Sequence, residues 1–410
     1  MKFQAPRGTH DVLATEDPLW FGTIVKTMEE LAAAYGYNRI QTPGFEDTGL
    51  FQRTAGQGSD IVQKEMYTFA DRSDRSITLR PEGTAPIARA YIEHGLHREP
   101  QPVKLFTIAP MYRYGAPGKG RYREHWQWSV EAIGSADPAI DAEVIQLYSE
   151  LLRRLGVTQW KLHLNSIGDP NCRPAYVERL NAWLDANEHL LDDDAKLKRQ
   201  TSPLQVFDVK NPAVRAALAD APKIGENLCD ECEAHFTAVK SFLDAYGVPY
   251  TLDPTLVRGL DYYAKTTWEF IGPMENENST ISGGGRYDGL VEAVGGPATP
   301  GVGFGAGIER LILAVEAEGG VAPERAIDVF VAADGAARER VLPVIAELRR
   351  RGLACDTDYA GRSLKGQLTQ AGRVNAKVTV IAGVDSATIR RRGEGEQVVG
   401  LDDLLDTLSP

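Results

Sequence analysis

Val103-Lys-Leu-Phe-Thr-Ile-Ala-Pro-Met-Tyr112 and, after a basic turn, His125-Trp-Gln-Trp-Ser-Val-Glu-Ala-Ile133 are the stretches that decide the fold. Both are short runs rich in β-branched and aromatic residues, the signature of strands. Between them lies Arg113-Tyr-Gly-Ala-Pro-Gly-Lys-Gly-Arg121-Tyr-Arg123, with four cations, Arg113, Lys119, Arg121 and Arg123, and no acid. Its Pro117-Gly118 step suits a tight reversal, so the two runs read as a hairpin. Successive hairpin-linked strands imply an antiparallel sheet. A loop so charged attracts polyphosphate, or is an ordinary solvated turn.

Along a strand the side chains alternate, so His125, Gln127, Ser129 and Glu131 share one face while Trp126, Trp128, Val130 and Ala132 share the other. Gln127 and Glu131, backed by a wholly apolar face, are costly to cover unless they hold a polar ligand. The plain alternative is a face open to solvent, which antiparallel sheets allow. Far along the chain, Gly301-Val-Gly-Phe-Gly-Ala-Gly307-Ile-Glu-Arg310 places glycine at every other position. A strand there has one face bare of side chains, where a flat base can approach the backbone, and a helix is expected from near Glu309-Arg310. Tight strand-to-helix packing accounts for the same pattern. The basic hairpin and this stretch together read as two halves of one nucleotide site.

Outward from these segments, Asp17-Pro18 reads as a helix cap followed by Pro at the first helical position. Trp20, Ile24, Met28, Leu31 and Tyr35 then recur at helical spacing until Gly36. Ser76 to Leu79 is a further strand. From about Asn165 to Tyr250 the pattern is mostly helical, with the acidic tract Asp192-Asp193-Asp194 and breakers such as Asn211-Pro212, and it reads as an insertion because strands resume at Thr251. Leu260 to Ile271 and the strand at Gly301 complete the sheet. After the link Gly319-Gly-Val-Ala-Pro323, a strand from Asp328, a helix over Ala336 to Arg351 and the strand Val378-Thr-Val-Ile-Ala382 form a small α/β finish. The expected division is 1–165 and 251–322 for the first domain, 166–250 for the insertion and 326–410 for the last domain.

Composition bounds the function classes. The 410 residues are 43% hydrophobic and 25% charged, ordinary for a soluble globular protein with two or three cores. No apolar run approaches a membrane span and Met1-Lys-Phe-Gln-Ala-Pro-Arg7 is no secretory signal, so a cytoplasmic protein without a membrane partner is expected. Four cysteines do not make a disulfide framework in so long a chain. A net charge of −12 argues against a general nucleic-acid coat, yet Arg338 to Arg392 carries twelve Lys/Arg against five acids, a local +7 that permits a polyanion partner.

Two more clusters carry chemistry. Leu256-Val-Arg258-Gly-Leu-Asp261-Tyr262-Tyr263 sets a cation and two phenols near a strand start, suited to phosphate and to ring nitrogens, or else to buried tyrosines beside an Arg–Asp pair. Arg80-Pro-Glu82-Gly-Thr84-Ala-Pro86 offers a carboxylate and a hydroxyl able to grip an amino group, with Thr84 as an ordinary helix cap the alternative. Cys229-Asp-Glu-Cys232 has the spacing of half a zinc site and Cys172 suits a third ligand, but no fourth is evident. Packing thiols are therefore the default and no metal ligand is assigned.

Taken together these segments resemble the histidyl-tRNA synthetases, class II aminoacyl-tRNA synthetases, over essentially the whole chain. Gly36-Tyr-Asn-Arg-Ile-Gln-Thr-Pro43 resembles the family's first motif, at the dimer interface; Arg113 to Glu131 resembles the second and Gly303 to Arg310 the third. Leu256 to Tyr263 and Gly283-Gly-Gly-Arg286-Tyr-Asp-Gly289 are similar to its two histidine-specific motifs. The resemblance implies an α+β catalytic domain on an antiparallel sheet, a mostly helical insertion and a C-terminal α/β anticodon-binding domain, Ala326 to Leu408, which includes Gly361-Arg-Ser-Leu-Lys365. It implies ATP-dependent activation of L-histidine and transfer to tRNA(His) by a homodimer.

The resemblance also implies roles. Glu82, Thr84 and Gln127 would hold the α-amino group; Glu131 and Tyr263, with Tyr262 beside them, would hold the imidazole. Arg113 would bridge the α-phosphate and the histidine carboxylate, and Arg258 would stabilise the charge that develops there. Arg121 would meet the outer phosphates, Arg310 would stack on adenine, and Mg²⁺ would neutralise the pyrophosphate. Two departures stand out: Gly115 where the family commonly has an acid, in a loop 114–120 that normally meets the tRNA acceptor end, and His125 where an aromatic usually stacks on adenine. The main rival is the family's paralogue, a histidine-binding regulatory subunit of ATP phosphoribosyltransferase, which typically lacks the C-terminal domain and the catalytic Arg. A synthetase for another amino acid would leave the Tyr262-Tyr263 and Gly-Gly-Gly-Arg-Tyr-Asp segments unexplained.

Overall fold

The expected hairpin forms. In the computed structural model Val103–Tyr112 and Glu124–Ile133 pair antiparallel along their whole length, from Val103 opposite Ile133 to Tyr112 opposite Glu124. The structure describes residues 3–56, 59–209, 211–274, 279–320 and 326–408. The expected link at 319–323 therefore falls partly outside the described residues. Two compact units divide the chain, Met1–Ala322 and Pro323–Pro410.

In the first unit the hairpin belongs to an eight-stranded sheet in the order Asn38–Arg39, Val103–Tyr112, Glu124–Ile133, Gly301–Gly307, Thr280–Arg286, Ala264–Ile271, Lys161–Ser166, Thr251–Leu252. The inner pairs are antiparallel, and the short outermost strands join in parallel. Lys161–Ser166 and Thr280–Arg286 were not expected as strands. Three glycines depress strand propensity in the latter, and only pairing on both sides holds it extended. The strand expected from Leu260 begins at Ala264.

The apolar face of the hairpin builds the core. Trp128 meets Phe304 edge-on at 5.3 Å, and Tyr148 bridges Phe304 and Phe270 at 5.3 and 4.8 Å. Burying each such side chain stabilises the fold by roughly 1.5–3 kcal/mol. Tyr148 comes from the helix Pro138–Arg154, which starts sharply because the Asp137 carboxylate accepts the Ala139 N–H at 2.9 Å and Pro138 needs no donor partner. The helix starts at Pro18 as expected, widens into a π turn over Trp20–Val25 and continues as α over Lys26–Ala34. Apolar spacing does not distinguish the two over a single turn. Asp17 directs its carboxylate back to the Leu13 N–H at 3.3 Å and does not cap the helix.

The segment between the Lys161–Ser166 and Thr251–Leu252 strands is helical, as Arg173–Ala186, Asp193–Thr201, Pro212–Ala217 and Asp230–Tyr246 with short 3-10 turns. Asn211-Pro212, expected as a breaker, starts a helix: Asn211 accepts the Ala213 N–H at 3.0 Å. Tyr176, Leu180, Leu184, Val206 and Leu218 form a separate core there, whereas Val239 and Leu243 of the last helix join the main core.

The second unit is a five-stranded sheet, ordered Cys355–Thr357, Val329–Ala333, Val378–Ala382, Ser386–Arg391, Glu396–Gly400. Its first three strands are parallel and linked by the helices Ala337–Arg350 and Leu364–Arg373; the last two are antiparallel additions beyond the expected α/β finish.

Candidate active site

A cleft partly open to solvent lies on the polar face of the hairpin. Glu82, Thr84, Arg113, Arg121, His125, Gln127, Arg258, Tyr262, Tyr263 and Arg310, which come from widely separated segments, all line it. Glu131 lies fully buried in contact with one of these, Thr84.

One end of the cleft is cationic. The tip of the hairpin reverses over Gly118 to Arg121, whose N–H and C=O groups exchange hydrogen bonds of 2.9 Å, with Gly120 at φ +72°. The turn thus lies two residues beyond the Pro-Gly step. Arg113 is steadied by its Nε donating to Pro81 O at 2.7 Å. Arg310, on the first turn of the helix Ile308–Ala317, donates from Nε to Gly120 O at 3.3 Å and from Nη1 to Thr280 O at 2.8 Å. Burial, then the charges of Arg121 and Arg113, hold the Arg310 guanidinium below its ordinary value. Burial and the charges of Arg113 and Arg310 likewise push His125 down to about 3, so its ring is neutral and free to lie against another ring. Three guanidinium groups converging on one end of a cleft define a place for a polyanion. Arg123 is different: it packs on the Tyr114 ring, 3.9 Å from the centroid, and donates to Gly115 O.

The other end is a buried acid pocket. Glu82 accepts the Thr84 and Ala85 N–H groups at 2.6 and 3.0 Å, so the helix Thr84–Glu93 is capped by Glu82 and not by the Thr84 side chain. The Thr84 hydroxyl is thereby free to donate to Glu131 at 2.8 Å, and the Tyr287 hydroxyl donates to the other Glu131 oxygen. Burial pushes Glu131 up to about 8 and the nearby Glu82 charge adds to the rise, while those two hydrogen bonds oppose it. Burial also raises Glu82. Tyr262 lies tilted against Tyr263 at 4.6 Å and meets Tyr287 edge-on at 5.9 Å.

The alternating glycines make room for these groups. A Cβ at Gly303 would lie 1.9 Å from Glu131 Oε2, and one at Gly305 2.7 Å from Gln127 Nε2. The bare strip is therefore filled by side chains of the neighbouring strand. Gly283 plays the same part for Arg258, whose guanidinium would meet a Cβ at 2.5 Å. Arg258 is ion-paired with Glu269, and its Nε has no hydrogen-bond partner although buried.

Tyr287 was missed as a site residue; its signal was its place in the Gly283 to Gly289 segment. In that segment Arg286 is fully buried outside the cleft, paired with Asp141, which also meets His235 at 3.2 Å. Glu309 was missed too: it lines the cleft, accepts the Trp126 N–H at 2.8 Å and is raised by burial to about 7.

An antiparallel platform bearing a cationic cleft beside an acid pocket, with a glycine-rich strand leading into an arginine-bearing helix, is the catalytic architecture of class II aminoacyl-tRNA synthetases. The family model described as histidyl-tRNA synthetase matches residues 20–311. The Histidine--tRNA ligase of Moorella thermoacetica is 47% identical over 399 residues, 96% of this chain and 94% of that protein. Among solved structures, apo S. aureus histidyl-tRNA synthetase aligns with a TM-score of 0.83 at 37% identity, covering 99% of this chain and 100% of that one. A Bacillus halodurans chain described as an ATP phosphoribosyltransferase regulatory subunit/histidyl-tRNA synthetase aligns with a TM-score of 0.65 over 90% of this chain and 97% of its own, at 24% identity, a likeness of fold alone. The chain belongs to the histidyl-tRNA synthetase family.

Proposed function

We propose that this chain is a histidine–tRNA ligase. A carboxylate oxygen of L-histidine attacks the α-phosphorus of ATP, the bond to pyrophosphate breaks, and histidyl-adenylate forms. A ribose hydroxyl at the 3′ end of tRNA(His) then attacks the histidyl carbonyl and AMP leaves. The observation that carries this reading is the convergence of Arg113, Arg121 and Arg310 beside the Glu82–Thr84–Glu131 pocket in one cleft. Both reacting groups are anionic, so catalysis rests on placing them against fixed cations.

Arg113 reaches both the α-phosphate and the histidine carboxylate, and Arg258 stabilises the charge that develops as they join. Arg121 holds the outer phosphates, while Arg310 and His125 flank the adenine. Glu82, Thr84 and Gln127 take the α-amino group. Glu131 and Tyr263 take the two imidazole nitrogens, with Tyr262 and Tyr287 closing the pocket. Such a pocket rejects side chains that would leave its buried polar groups unpaired. Mg²⁺ takes oxygen ligands and usually only one or two from the protein. Glu309, whose carboxyl lines the cleft, would hold it together with the phosphate oxygens of ATP, and the ion would neutralise charge on the leaving pyrophosphate.

The second unit reads the anticodon end of tRNA(His). Its support is the local basic surplus and a concavity lined by Lys377, Arg390, Arg391 and Arg392. Two chains pair through the segment Gly36 to Pro43, which carries an edge strand of the large sheet and adjoins the exposed Phe45. No helix among the described residues is long and apolar enough to cross a membrane, and the protein works in the cytoplasm. The regulatory-subunit reading is the weaker one, because Arg258 stands in the cleft and the C-terminal unit is present. Pyrophosphate exchange across the twenty amino acids tests the proposal: exchange with histidine alone supports it, and no exchange with histidine overturns it.

A further inference from the structure

We propose that Asp169, Cys172, Cys229 and Cys232 form a structural zinc site that clamps the two ends of the helical insertion together. The fold supplies the fourth ligand that spacing alone did not offer. One carboxylate oxygen and three sulfurs all lie within 4.8 Å of one another. With Zn–S near 2.3 Å and Zn–O near 2.0 Å, a tetrahedral site has edges of about 3.8 Å between sulfurs and about 3.5 Å between sulfur and oxygen. Here Cys172 Sγ lies 3.9 Å from Cys232 Sγ, and Asp169 Oδ1 lies 3.4 Å from Cys172 Sγ and 3.9 Å from Cys229 Sγ. A buried carboxylate among thiols gains nothing from apolar packing, which is what the packing-thiol reading requires.

The surroundings orient the ligands. Asp169 donates its N–H to Cys172 Sγ at 3.3 Å, and its carboxylate accepts from Asn171 N and Nδ2 at 2.9 and 3.1 Å. Cys172 and Cys229 each immediately precede a helix, Arg173–Ala186 and Asp230–Tyr246, so the first turns of two helices fix where these sulfurs lie. Gly168, at φ +64°, leaves space that a Cβ would take 2.7 Å from Cys172 Sγ. Binding sends the thiol protons to solvent and joins pairs 60 residues apart in the chain. The clamp also bears on the cleft wall: Arg173 donates to Tyr263 O at 2.8 Å and Lys265 N to Gly168 O at 2.7 Å.

The full chain, equilibrated with Zn²⁺ and freed of excess, is assayed for zinc by plasma mass spectrometry and for thiols under denaturing conditions with chelator. About one zinc per chain, with every cysteine titrating as a thiol, is expected. X-ray absorption should give a shell of sulfur with a minority of oxygen. Cys232→Ser should lose the metal, whereas Asp169→Cys, and Cys355→Ser in the other unit, should keep it. A metal-free chain with free thiols overturns the proposal, and so does a disulfide among Cys172, Cys229 and Cys232. The wild-type metal content needs no variant, so a misfolded Cys232→Ser leaves the test decisive.

Discussion

Thr84 and Glu131, 47 residues apart in sequence, are joined by a hydroxyl-to-carboxyl hydrogen bond of 2.8 Å beneath the cleft. The contact ties the first residue of a helix to the far end of the second hairpin strand, and it holds a carboxyl that burial has pushed up to about 8.

A pH dependence follows from that carboxyl. Its ordinary value is 4.5, so between about 4.5 and 8 the folded chain keeps a proton that the unfolded chain releases. The stability contributed by the neutral group is whole below about 4.5 and is lost as pH rises through about 8. Glu131→Gln removes this titration. Urea unfolding of both proteins across that range should show the wild-type advantage shrinking by about 1 kcal/mol per pH unit. A difference that stays flat would mean that Glu131 is not held neutral.

The same substitution should weaken histidine binding and leave ATP binding largely intact, because the amide cannot ionise to pair with the imidazole and Glu131 lies at the acid end, away from the cationic cleft. Adenylate formation with each substrate titrated separately measures this. An effect confined to the ATP titration would place Glu131 in the wrong half of the site.

Arg258→Ala should slow adenylate formation while histidine still binds. Losing one preorganised transition-state contact costs on the order of 3 kcal/mol, roughly a hundredfold in rate. Single-turnover adenylate formation at the wild-type rate would remove Arg258 from the chemistry.

Much of this site was legible because its signals are local. The alternation from His125 to Ile133 separates a polar from an apolar face before any neighbour is known, and the basic turn announces itself in eleven residues. What escaped depends on pairing across the fold. Thr280–Arg286 is a strand only because Gly301–Gly307 and Ala264–Ile271 flank it, and Tyr287 reaches Glu131 only through that register. Asp169 meets the cysteines through the closure of a long insertion, which no spacing rule encodes.

Gly303→Ala tests the close packing beneath the cleft. Its Cβ would fall 1.9 Å from Glu131 Oε2 and 2.4 Å from Val130 O, and the backbone atom has no room to yield. A stability loss of about 1–3 kcal/mol is expected in urea unfolding, together with weaker histidine binding. A variant as stable and as active as the parent would show that the strands separate more easily than their pairing implies.

The last test separates the two units. A chain ending at Gly320 keeps the whole eight-stranded sheet and the cleft, whereas the basic concavity around Lys377 and Arg392 lies in the part removed. Pyrophosphate exchange with histidine should persist, and the dimer should survive because Gly36 to Pro43 is retained. Charging of tRNA(His) should fall by more than about tenfold, since Lys and Arg contacts to phosphate supply much of the affinity. In the full chain, tRNA binding should weaken steeply with salt, and Arg392→Ala should reduce the slope of log affinity against log salt by about one. Undiminished charging by the shortened chain would show that the C-terminal unit does not read the tRNA.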